Sequence, residues 1–137
     1  MTRSFLLDTC VCLWIVADEI SPQTTQAMIE SLDAGGSVYI SPITALEIGT
    51  LARKNRFKSQ LSPRHWFERL MTAPGAKLAE MPAELLIESA LLPGNIHNDP
   101  YDRIIAATAR EYGYTVMTRD RALLDYAQEG YLSVLEC

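Results

Sequence analysis

Four times in this chain a residue with a short oxygen-bearing side chain is followed by proline: Ser21-Pro22, Ser41-Pro42, Ser62-Pro63 and Asp99-Pro100. A serine or aspartate oxygen accepts from the free N–H groups of a first helical turn, and proline at the first helical position gives up a donor that has no partner there. Each pair therefore predicts a helix start, and Pro82 marks a fifth helix entrance, for Ala83 to Leu92. Apolar runs lie between these starts. Phe5-Leu6-Leu7, Ser37 to Ile40, Lys77 to Met81, Thr115 to Thr118 and Leu132 to Leu135 read as short strands, and Thr9 to Ala17 reads as an apolar helix. Strands alternating with helices imply a parallel sheet covered on both faces. The expected fold class is α/β, a single-domain α/β/α sandwich over residues 1–137 with a parallel sheet of four to five strands.

Composition narrows the function more by exclusion than by assignment. A net charge of -5 argues against a protein that simply coats nucleic acid, but not against a nuclease whose site is built from acids. Met1 to Ser4 runs straight into Phe5-Leu6-Leu7-Asp8, too short for a signal peptide, and no apolar run reaches membrane-spanning length, so the expected location is cytoplasmic, with no membrane contact. The cysteines Cys10, Cys12 and Cys137 have no His or Cys cluster to complete a zinc site and are read as small core residues.

Acids provide the sharper signal. Parallel sheets collect ligands at the C-terminal ends of strands and at the N-termini of the helices that follow. Asp8 and Asp120 each lie just beyond a strand, and Asp99 and Asp102 start a helix. Glu47 stands one turn after Ile43 and one turn before Leu51, on an apolar stripe where an unpaired carboxylate is costly. Converging carboxylates disfavour one another's ionisation unless a cation joins them, and oxygen-only ligation suits Mg2+ or Mn2+. Such a centre favours attack of water on a phosphodiester. Thr9 and Thr118, adjacent to acids, either orient them or satisfy local backbone; Arg103 either steadies the acids as an ion-pair partner or meets the backbone of a phosphodiester substrate. Arg53, Lys54, Arg56 and Lys58 follow the Glu47 helix as a solvated C-terminal cluster that also suits phosphates.

Four motifs in order carry a resemblance: Leu6-Leu7-Asp8-Thr9 with Leu13-Trp14; Ser41 to Ile48 with Leu51-Ala52-Arg53-Lys54; Asp99-Pro100-Tyr101-Asp102-Arg103-Ile104-Ile105-Ala106; and Thr118-Arg119-Asp120. With these flanks the chain resembles a PIN-domain ribonuclease of the VapC type, the toxin half of bacterial toxin-antitoxin pairs. The resemblance implies a PIN-like fold, and Asp8, Glu47, Asp102 and Asp120 as catalytic, metal-binding acids with Asp99 as a close auxiliary. It further implies Mg2+ or Mn2+ as cofactor, RNA as substrate, a homodimer, and a cognate antitoxin protein as partner. Two positions depart from the pattern. Cys10 stands where similar chains often carry a histidine or another polar residue, and Leu46 where many have tryptophan. Alternative functions are a catalytically silent binding module on the same fold, or a phosphoryl-transfer domain. Against the latter, a haloacid-dehalogenase-like phosphatase wants an aspartate where Cys10 stands, and a response-regulator receiver wants an acidic pair beside its first strand and a lysine after its last.

Overall fold

The computed structural model describes residues 3–137, so the first two positions of the expected 1–137 domain lie outside the described residues. The strand β1 (Phe5–Leu7) leads into α1 (Thr9–Val16) and α2 (Pro22–Asp33), and β2 (Val38–Ile40) into α3 (Pro42–Arg53) and α4 (Pro63–Met71). Then β3 (Ala76–Leu78) leads into α5 (Ala83–Ala90) and α6 (Pro100–Tyr112), β4 (Thr115–Thr118) into α7 (Arg121–Gln128), and β5 (Val134–Glu136) follows. The strands form one five-stranded parallel sheet in the order β3-β2-β1-β4-β5. From β1 the chain steps outward through β2 to β3, then returns past β1 to lay down β4 and β5 on the other side. That reversal leaves a crevice above the C-terminal ends of β1 and β4, where open α/β sheets bind ligands.

Side-chain alternation along the strands builds two cores. Leu6 and Val116 face one layer, packing with Leu85, Ile104, Ile105 and Leu123 from the helices. Phe5, Leu7, Ile40 and Met117 face the other, with Val11, Trp66 and Leu70. Each such aliphatic or aromatic side chain, fully buried, contributes about 1.5–3 kcal/mol. The helix α3 serves both layers, giving Ile43 to the first core and Ile48 to the second, and so runs along their boundary. Among the described residues no helix is long and apolar enough to cross a membrane.

The serine and aspartate caps form as the sequence pattern predicts. Oxygens of Ser21, Ser41, Ser62 and Asp99 accept from the N–H groups of Thr24, Ile43, His65 and Tyr101 at 3.2, 3.1, 3.2 and 2.9 Å. Pro82 differs: it is itself the cap residue of α5, without a side-chain cap bond, and that helix ends at Ala90 rather than Leu92. Two strand boundaries also differ from expectation. The strand expected over Lys77 to Met81 is Ala76–Leu78, because its only partner, β2, ends at Ile40, where Ser41 turns the chain into α3. The last strand lies at Val134–Glu136 instead of Leu132 to Leu135, since its register is set by β4, with Val116 opposite Val134 and Thr118 opposite Glu136. At the end of α6, Gly113 takes the left-handed conformation (φ 75°) that lets both its own N–H and that of Tyr114 reach the Ala109 carbonyl.

Candidate metal centre

Asp8 sits at the switch between β1 and β4. Its backbone N–H extends the β1–β4 ladder to the Met117 carbonyl (3.1 Å), and its side chain then turns to cap α1. One carboxylate oxygen accepts from the Thr9 N–H and the other from the Thr118 hydroxyl, both at 2.8 Å, and the residue is only 5 % exposed. Thr118 links two acids: while its hydroxyl donates to Asp8, the same oxygen accepts from the Asp120 N–H at 2.9 Å. Asp120 caps α7, taking the Ala122 N–H at 2.8 Å. Both residues expected as either orienting or locally satisfied touch the acids: Thr118 holds two of them in place, and the Thr9 hydroxyl, paired with Thr44 at 3.0 Å, also serves Glu47.

From the other side of the crevice come α6 and α3. Asp99 caps α6, and Asp102, one turn on, is 7 % exposed with Oδ2 3.0 Å from His97 Nε2. Glu47 projects from α3, half-buried.

The acids act on one another. Burial pushes the Asp102 carboxyl up to about 8, and the charges of Asp120, Asp99, Asp8 and Glu47 add to the rise in that order. Burial likewise raises Glu47, tempered by the Thr9 hydroxyl and reinforced by Asp8, Asp99 and Asp120. Asp8 is raised by burial against the pull of the Thr118 hydroxyl and the Thr9 N–H. Three helix N-termini, those of α1, α6 and α7, point into this crevice and favour negative charge. They do not offset the crowding, since Asp102 retains its proton into the neutral range. A site of this kind fits a hard divalent cation, which carboxylate oxygens bind and whose charge lets them ionise together. Donor atoms of His97, Asp102 and Asp120 already lie within 4.8 Å of one another. Asp8 stands outside that tight group, with both its oxygens engaged in hydrogen bonds.

Other expectations are relocated. Arg103 neither pairs with the acids nor reaches outward: its guanidinium donates to the carbonyls of Ser89, Ala90, Ile96 and His97 at 2.9, 3.1, 3.1 and 3.3 Å, pinning the α5–α6 connection. Cys10, read as a core residue, is exposed beside the acids; only Cys12 is fully buried, with Cys137 intermediate. Although the residue is exposed, partial desolvation of its sulfur and the charges of Asp8, Glu47, Asp120 and Asp102 push the Cys10 thiol up to about 11, so it stays protonated at neutral pH. Arg53, Lys54, Arg56 and Lys58 are exposed around the end of α3, and Arg56 and Lys58 border an open groove of about 590 Å³ floored by Trp14, Phe57 and Trp66. None of the five acids lines that groove. His97 was not singled out from sequence. Its signal is position: two residues ahead of a capping aspartate, where a ring nitrogen takes the cap residue's own N–H.

In its fold the chain is similar to VapBC2 from Rickettsia felis, solved bound to a promoter DNA fragment, with 16% identity, a TM-score of 0.66 and 98% of each chain covered. It is also similar in fold to PAE2754 from Pyrobaculum aerophilum, with 18% identity, a TM-score of 0.62, and 99% of this chain and 90% of that one covered. In sequence it is similar to ribonuclease VapC22 from Mycobacterium tuberculosis, 28% identical over 119 residues that cover 86% of this chain and 88% of that protein. The PIN domain model matches residues 5–129, nearly the whole α/β/α layer structure and every acid of the crevice, and the chain belongs to the PIN domain family.

Proposed function

We propose that this chain is an endoribonuclease dependent on Mg2+ or Mn2+, the toxin of a toxin-antitoxin pair, whose catalytic centre is Asp8, Glu47, Asp102 and Asp120 with Asp99 alongside. The observation that carries the reading is mutual: Asp102, Asp8 and Glu47 are each raised partly by the charges of the other acids, at the sheet's switch point. Such crowding costs the fold stability, and a bound cation offsets it. The similarity to ribonuclease VapC22 supports the choice of RNA.

Asp8, Asp102 and Asp120 would hold the cation, with Glu47 and Asp99 adding charge at its edge. When bound, the cation supplies an acidified water for attack on the phosphodiester and shields the leaving oxygen. Thr118 fixes the spacing of Asp8 and Asp120, so their carboxylates do not have to be ordered at the moment of binding. Without a cation the ionised acids of the crevice repel a phosphodiester, while Asp102 keeps its proton. Arg53, Lys54, Arg56 and Lys58 are exposed cations available to the RNA backbone. The protein acts in the cytoplasm as a homodimer under the control of an antitoxin. For the dimer, α5 and the residue that caps it present Leu86, Ile87 and Leu91 at 40, 59 and 69 % exposure, an apolar face suited to a second copy.

Structured RNA incubated with Mn2+, with EDTA, and with Asp8→Asn or Asp102→Asn protein tests the activity. Cleavage is expected with Mn2+ alone; cleavage persisting in EDTA or in both variants contradicts the metal mechanism. For the dimer, light scattering should find two copies in the wild type and one in Ile87→Glu, and a monomeric wild type would refute it.

A further inference from the structure

The contact between His97 and Asp102 belongs to a chain of restraints that the acids alone do not need. Asp99 donates its backbone N–H to His97 Nδ1 at 3.0 Å. A nitrogen that accepts carries no proton, so Nε2 is the ring nitrogen left to donate. Nε2 lies 3.0 Å from Asp102 Oδ2, within hydrogen-bond reach of that oxygen. The loop bearing the ring is held by Arg103, whose guanidinium takes the carbonyls of Ile96 and His97 on one side and of Ser89 and Ala90 on the other. His97 is nevertheless 47 % exposed while Asp102's side chain is 10 % exposed, so the imidazole reaches in from the rim rather than packing in the core.

We propose that His97 is a positioning residue for the metal centre: it donates to Oδ2 of Asp102, leaving Oδ1 as the oxygen offered to the cation, and is not itself a ligand. This rests on the metal-dependent reading above. The proximity of His97, Asp102 and Asp120 taken alone suits a mixed nitrogen and oxygen site. The Asp99 N–H decides against it, because a ring whose Nδ1 is an acceptor has no lone pair on Nε2 to give a cation. Donors of this type that orient a metal-binding group typically change affinity 10–100-fold when removed.

Mn2+ titration followed by electron paramagnetic resonance, on wild type, Asp8→Asn, His97→Ala and His97→Gln, tests the assignment, with spin-echo detection of nitrogen bound to the ion. Expected are binding by wild type, loss in Asp8→Asn, and a fall of about 10-fold or more in His97→Ala with an unchanged melting temperature. Recovery in His97→Gln, whose amide can donate from a similar place, and no directly bound nitrogen in wild type complete the expectation. Unchanged affinity in His97→Ala overturns the positioning role while leaving the metal centre standing. A bound-nitrogen signal that disappears in His97→Ala overturns it in favour of ligation. Absence of Mn2+ binding by wild type overturns both the inference and the reading beneath it.

Discussion

Two sets of helix starts solve the same structural problem with different chemistry. Ser21, Ser41 and Ser62 cap α2, α3 and α4, whereas Asp8, Asp99 and Asp120 cap α1, α6 and α7. Serine and aspartate are close to equivalent as caps, and the extra attraction of a carboxylate to the helix dipole is only about 0.3–1 kcal/mol. The aspartate caps come together with Asp102 and Glu47, and the price is visible in the raised carboxyls of Asp8, Glu47 and Asp102. Capping explains why an oxygen stands at each of these six helix starts; it does not explain why at three of them the oxygen is charged.

Exchanging one kind of cap for the other separates the two roles. Asp120→Ser keeps a cap acceptor for α7 and removes a charge facing Asp102. Its RNA cleavage should fall by about a hundredfold or more. In EDTA its melting temperature should match or exceed that of wild type, because one repulsive partner of Asp102 is gone. Retained cleavage, or a protein that unfolds, would make Asp120 an ordinary cap.

A smaller effect follows from the proton on Asp102. Its carboxyl titrates near 8 in the folded, metal-free chain against 3.8 in the open chain. Below the lower value both states hold the proton and nothing is lost. Between the two the folded state holds a proton that the unfolded state has released, so stability falls as pH rises and the penalty is complete above about 8. Asp8 and Glu47, also raised, add to the same direction. Thermal melts in EDTA should therefore drop from pH 5 to pH 8, Mn2+ should remove the drop, and Asp102→Asn should flatten it. A melting temperature that climbs with pH in EDTA would contradict the crowding.

The smallest effect belongs to the serine set. Ser62→Ala removes the oxygen that receives the His65 N–H, and denaturant unfolding should register a loss of about 0.5–2 kcal/mol with cleavage unchanged. Loss of cleavage with intact folding would erase the distinction between the two sets.

What could be read before folding follows the same division. Cap and strand signals are local, so the helix starts, the parallel α/β class and the acids at element ends were all visible along the chain. Strand order is not local: that β4 returns to the far side of β1 depends on packing of whole layers, and the switch point beside Asp8 emerges only from it. The edges of β3 and β5 escaped for a related reason, their lengths being set by the neighbouring strand. Arg103 was misplaced because a charged residue next to Asp102 suggests an ion pair, while its long side chain runs back along the helix start to four carbonyls. His97 escaped because its partner lies five positions on and its role depends on a backbone N–H. Cys10 follows the helical turn that places Cys12 in the core and is thereby left outside, next to the acids.

Anomalous diffraction from crystals soaked in Mn2+ tests the central claim most directly. The account predicts a manganese peak enclosed by the carboxylates of Asp8, Asp102 and Asp120 in the crevice between β1 and β4. Manganese bound elsewhere on the protein with that crevice empty would contradict it.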